Sequence, residues 1–171
     1  MSGSGTSGGG PGAAAPVSIT RVLDALRGRR QTLSVAESLT GGLLAATIVD
    51  VPGASTVFRG GLVVYATDLK ATLAGVDAAL LAERGPVDPD VAAALALGVS
   101  ERCGTDWGLS TTGVAGPGPQ DGVAAGTVYI GLHGPGGADA VRRLALDGDR
   151  SAIRRNVVTA ALALLAGAVG I

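Results

Sequence analysis

The sequence predicts a three-layer α/β/α domain around a mixed sheet of about five strands. Strand-like and helix-like segments alternate along most of the chain, the pattern of parallel α/β units. A glycine-rich hairpin signal near the end adds an antiparallel pair, which makes the sheet mixed. The apolar share is 47% but aromatics supply only 2%. Ala, Val and Leu must therefore fill the core, and small side chains favour close packing of helix on sheet. A length of 171 residues suits one domain with a sizeable core.

Met1 to Pro16 is Gly, Ser, Ala and Pro without charge, the composition of a flexible tail. It lacks the basic start and apolar stretch of a signal peptide. The domain is expected over residues 17–171. Ser18–Arg29 reads as an amphipathic helix with Ile19, Val22, Leu23 and Leu26 on one face. Gln31–Glu37 is a short strand, and Ser38-Leu39-Thr40-Gly41-Gly42 turns into a helix through Leu43–Val49. Val57–Tyr65 is a second strand, followed by a short helical stretch around Lys70. Asp77–Arg84 is a helix. Asp88-Pro89-Asp90 opens a longer one to about Arg102, with Asp88 as N-cap and Pro89 in the first turn. Trp107–Thr112 is a strand that enters a glycine-rich loop. Gly126–His133 and Ala138–Leu146 form a hairpin around Gly134-Pro135-Gly136-Gly137. The last helix opens at Asp149-Arg150-Ser151.

Composition excludes several classes. A net charge of −1 without any Lys/Arg run argues against a nucleic-acid surface. The apolar run Val157–Ile171 is shorter than the roughly 20 residues of a membrane span. It is expected to be a buried core helix. Cys103 is the single cysteine, read as a structural thiol at a helix end, and the chain is expected to be cytoplasmic. His133 is the single histidine, so neither a His-rich site nor a metal cluster is expected.

Four segments can carry chemistry. In Ala36-Glu37-Ser38-Leu39-Thr40-Gly41-Gly42 a strand ends, a serine sits in the turn and small residues open a helix. Free amides there could hold a phosphate or the oxyanion of a serine's attack on a carbonyl; the same residues also serve as a plain helix cap. Lys70 is the only lysine beside twelve arginines. A buried amine can shed its proton and act as a base where a guanidinium cannot. Tyr65 precedes it by five residues. Thr67-Asp68-Leu69-Lys70 imitates the Ser-x-x-Lys of penicillin-binding enzymes, but Ser-Asp-Asn and Lys-Thr-Gly are missing. Ser110-Thr111-Thr112-Gly113-Val114-Ala115-Gly116-Pro117-Gly118 is a strand running into a loop suited to an anion. No Gly-Lys-Ser/Thr follows it, and Gly122 falls one residue late for a dinucleotide fingerprint. Finally, Arg150 at a helix start is misplaced against the helix dipole, which hints at a bound anion. A Ser-His-Asp triad is poorly supported, since His133 lies at the expected hairpin tip. A serine with a lysine base needs no histidine.

Taken together and in this order, these four segments closely resemble the CinA C-terminal domain family, whose stand-alone members are nicotinamide-nucleotide amidases. The resemblance covers nearly everything from Ser18 onward. It implies a cytoplasmic α/β/α domain that hydrolyses the carboxamide of nicotinamide mononucleotide (NMN) to nicotinate mononucleotide and ammonia. It also implies a Ser/Lys mechanism without metal, and a homo-oligomer; no cofactor and no nucleic-acid or membrane partner are expected. By this resemblance Ser38 is the nucleophile, Lys70 the base and Tyr65 a hydrogen-bonding partner. It makes Arg150 a ligand of the substrate's phosphate or ribose. From the residues themselves, one of the two loops, Thr40, Gly41 and Gly42 or Thr112, Gly113 and Gly116, is expected to hold the oxyanion and the other the phosphate, in an order left open. The chain departs from the family where Tyr-Ser-Asn commonly precedes the lysine, having Tyr65-Ala66-Thr67, and in Thr112 where Ser is common. Other readings compete: a nucleotide-binding regulatory module without turnover, an N-glycosidase using Glu37, or an amidase for another small amide.

Overall fold

The computed structural model describes residues 17–171, so the expected tail lies outside the described residues. Five strands form one sheet: β1 (Leu33–Glu37), β2 (Phe58–Val63), β3 (Trp107–Gly113), β4 (Thr127–His133) and β5 (Ala140–Ala145). Their order is β2-β1-β3-β4-β5. β1 runs parallel to both β2 and β3, whereas β3–β4 and β4–β5 are antiparallel. The mixed sheet is thus present, and each expected element appears with its ends moved by at most a few residues.

Among the described residues the six α-helices are α1 (Ile19–Gly28), α2 (Leu43–Val49), α3 (Thr67–Thr72), α4 (Ala78–Arg84), α5 (Pro89–Cys103) and α6 (Arg150–Ala168). Alternation along β1 divides the two layers, because successive strand side chains point to opposite faces. Leu33 and Val35 join the core made with α1, α2 and α6, while Ala36 joins the one made with α3, α4 and α5. The low aromatic content has its expected result. A Cβ on Gly108 would lie 1.9 Å from Ala96 O, and one on Gly131 would lie 2.2 Å from Ala92 O. α5 therefore rests directly on the backbone of β3 and β4. In α6, Val157, Val158, Ala161, Leu162, Leu165 and Ala166 are buried, as expected for a core helix. Among the described residues no helix is long and apolar enough to cross a membrane.

The three parallel strands end at the same edge of the sheet, where open α/β sheets place their ligand crevices. The chain segments leaving β1, β2 and β3 meet there, and the start of α6 closes one side.

Candidate active site

Ser38 is the first residue after β1. Its amide donates to Thr111 O at 2.9 Å, and its carbonyl accepts from Gly41 N at 3.1 Å. Gly41 and Gly42 have φ of +56° and +98°, left-handed values that glycine adopts without a Cβ penalty. Turn and helix are then tied back to the strand by Glu37. Its carboxylate accepts from Gly42 N and Leu44 N at 3.0 Å each and from Ala45 N at 2.8 Å. On the other side Arg154 of α6 donates to Leu39 O at 3.0 Å and Thr40 O at 2.7 Å. The serine sits in a turn clasped from both sides.

Register explains how Lys70 reaches it. Glu37 pairs with Val63 across the parallel ladder, so Val64 follows β2 beside Ser38, and Val64 N donates to Glu37 O at 2.8 Å. The next residues turn into α3, which carries Lys70 back over the strand ends. Its Nζ donates to Val64 O at 2.8 Å and lies 3.1 Å from Ser38 Oγ. Only 1% of the residue is exposed. Burial pushes its pKa down from 10.5 to about 8, against the opposing pull of Asp68. A lysine in that range is partly neutral near pH 8, and a neutral amine next to a serine hydroxyl can take its proton.

The same shift affects stability. Because the folded pKa is depressed, the unfolded chain binds more protons between about pH 8 and 10.5. Below that window the fold carries the full cost of a buried ammonium, about 3 kcal/mol; the cost vanishes as pH rises through the window. Wild type should therefore gain stability relative to Lys70→Met from about pH 8 to 10.5. Parallel melting curves test this, and a stability gap that ignores pH would mean that Lys70 stays charged in the fold.

A cavity of about 300 Å³ opens onto this pair, walled by Ser38, Leu39, Tyr65, Thr67, Lys70, Pro86, Val87, the stretch Thr112–Gly116, Gly118–Gln120 and Arg150. Ser38, Lys70, Tyr65, Thr112, Gly113 and Gly116 are thus brought together with Arg150. The Arg150 guanidinium donates to Gly116 O at 2.8 Å and to Tyr65 OH at 2.7 Å, bridging the exposed mouth. The Thr112 hydroxyl is engaged within the wall, donating to Pro86 O at 2.6 Å. The charged side chains of this wall are both cationic, and no carboxylate lines it.

Thr40, Gly41 and Gly42 are not in the wall. Thr40 is fully buried with its hydroxyl against Thr111 Oγ1 at 2.8 Å. The Gly41 and Gly42 amides serve Ser38 O and the Glu37 carboxylate. The expectation of free amides is thereby corrected for Gly41 and Gly42; Thr40 N makes no hydrogen bond among the described residues but lies outside the cavity wall. Glu37 is 1% exposed with both oxygens engaged, so it offers no acid to a glycosidase reaction. His133 sits at the other end of the sheet, paired with Gly108 and bonded to Asp139 Oδ1 at 2.7 Å. Gln120 escaped the sequence reading although a signal existed. The Asp121-Gly122 pair, a favoured two-residue hairpin turn, joins Gln120 to Val123. Among the described residues no His, Cys, Asp or Glu cluster has metal-holding spacing.

The family model of the CinA C-terminal domain matches residues 17–169. The chain belongs to the CinA C-terminal domain family. A CinA-like protein of Frankia casuarinae is 54% identical over 144 residues, covering 84% of this chain and 33% of that protein. A CinA-like protein of Myxococcus xanthus is 47% identical over 136 residues, covering 78% and 32%. This CinA domain thus spans about a third of the length of the curated relatives it matches. Among solved structures, the competence/damage inducible protein CihA of Agrobacterium tumefaciens superposes with a TM-score of 0.84 at 29% identity. The match covers 88% of this chain and 92% of that one. A CinA superfamily protein of Enterobacter cloacae gives 0.85 at 27% identity, covering 97% and 99%.

Proposed function

We propose that this CinA domain hydrolyses the carboxamide of NMN, releasing nicotinate mononucleotide and ammonia through a Ser38/Lys70 mechanism. The observation that carries the reading is the buried Lys70 Nζ at 3.1 Å from Ser38 Oγ. Ser38 Oγ attacks the carboxamide carbon while its proton passes to Lys70. Collapse of the tetrahedral species breaks the C–N bond, and Lys70 returns the proton to departing ammonia. Water then repeats the cycle on the acyl-enzyme and frees the acid. The cationic pyridinium of NMN, next to Lys70, would hold that amine neutral. A cavity whose mouth is bridged by the Arg150 guanidinium, with no carboxylate in its wall, suits a substrate that ends in a phosphate.

Incubation with a panel of pyridine nucleotides, with ammonia and product identified, tests the reading. Ammonia with the acid product supports it, free nicotinamide indicates glycosidic cleavage, and binding without turnover indicates a regulatory module. Arg150→Ala should weaken binding more than it slows chemistry, because charge-assisted bonds to phosphate are among the stronger hydrogen bonds. Wild type should prefer NMN strongly over its dephosphorylated nucleoside, and the variant should lose much of that preference. An unchanged preference would move the phosphate to the Gly113–Gly118 loop.

A further inference from the structure

Attack on a carbonyl by Ser38 pushes the C=O electron pair onto oxygen, and the reaction needs a donor aimed at that atom. We infer that the backbone N–H of Leu39 is the oxyanion donor of this site, an assignment that rests on the hydrolytic reading of Ser38. Most amides around the serine are already used. Ser38 N serves Thr111 O, Gly41 N serves Ser38 O, and Val114 N serves Thr127 O. The Gly42, Leu44 and Ala45 amides are held by Glu37. The Leu39 amide makes no hydrogen bond among the described residues, although Leu39 is nearly buried at 3% exposure.

Peptide geometry supplies the direction. In a planar trans peptide the N–H lies opposite the C=O. The Ser38 carbonyl is held within the turn by Gly41 N, so the Leu39 N–H faces out of the turn, and both residues of this peptide, Ser38 and Leu39, line the cavity. Thr40 N also makes no such bond, but Leu39 O is fixed by Arg154 and Thr40 is absent from the wall. Ala115 N and Gly116 N also make no hydrogen bond among the described residues and line the cavity, but neither belongs to the nucleophile's own peptide; the donor assigned is the amide joined to Ser38, in a turn that the clasp of Glu37 and Arg154 fixes before substrate arrives. In the step, the Ser38 Oγ–C bond forms, the oxyanion accepts from Leu39 N–H, and the serine proton moves to Lys70. On collapse the C=O reforms, and the C–N bond breaks with that proton going to nitrogen.

Replacing Leu39 by its α-hydroxy acid exchanges this N–H for an ester oxygen and leaves every side chain in place. The same exchange at Thr40 is the control, equal in backbone chemistry but sparing the Leu39 N–H. Melting curves identify the folded proteins. Two rates are read: turnover of NMN, and labelling of Ser38 by a small fluorophosphonate followed by intact mass. The Leu39 ester should lose about 10²–10³-fold in both rates, with KM within about twofold, while the Thr40 ester stays within severalfold of wild type. Equal effects of the two esters, or none, would overturn the assignment and leave the Ala115 and Gly116 amides as donors. A wild type that labels at Ser38 yet ignores NMN sinks the substrate reading alone, since the labelling comparison still decides the donor. A wild type that fails to label at Ser38 sinks both.

Discussion

Ser38→Ala is expected to remove ammonia release from NMN, by on the order of 10⁴-fold or more, the scale seen when a serine nucleophile is deleted. The fold should survive the change. Ser38 holds its turn through backbone groups, donating to Thr111 O and accepting from Gly41 N, and both remain with alanine. Lys70 keeps Val64 O as a partner at 2.8 Å, so no buried ammonium is orphaned. Melting temperature should therefore move little while turnover collapses. Activity within about tenfold of wild type, a barrier change of about 1.4 kcal/mol, would reduce Ser38 to a turn residue. Retained binding of the nucleotide is the accompanying measurement, since Arg150 and the Gly113–Gly116 loop are untouched.

The fold was legible where signals are local. Asp88 and Pro89 announce α5, and the structure shows the Asp88 carboxylate accepting from Asp90 N at 2.8 Å. Gly134-Pro135-Gly136-Gly137 marks the β4–β5 connection, and Gly41-Gly42 marks the turn before α2. Residue types at the site were legible too: a lone lysine among arginines and a serine at a strand end both stand out. Their pairing was not, because it depends on the parallel register of Glu37 with Val63. That register sets two segments side by side whose key residues are 32 apart in sequence.

The fate of the amides before α2 was illegible for a related reason. In the sequence Glu37 stands out only as an acid beside Ser38, and its hold on the amides of α2 follows from that helix doubling back over β1. The Arg154 contact to Thr40 spans 114 residues and leaves no trace in any local pattern. Gly41 and Gly42 thus look free in the sequence, although the folded chain uses both amides itself. Arg150 did carry a local signal, a cation at a helix N-terminus against the dipole. The structure gives it Tyr65 OH and Gly116 O at the cavity mouth.

Lys70→Arg separates charge from basicity. The guanidinium keeps a positive charge but cannot surrender a proton near neutral pH, so a role as general base ends with the substitution. Turnover should fall at least about 10²-fold, the lower end for loss of such a group, with substrate binding less affected. The pH dependence distinguishes this from crowding by the larger side chain. Wild-type kcat/KM should rise through about pH 8 as Lys70, lowered to that value by burial, sheds its proton. The residual activity of the Arg variant should lack this rise. A variant with full turnover and an unchanged profile would require another base. Besides Lys70 the cavity wall offers Tyr65 and Arg150 as titratable side chains. The arginine stays protonated, so the search would narrow to the Tyr65 hydroxyl, which already accepts a hydrogen bond from Arg150.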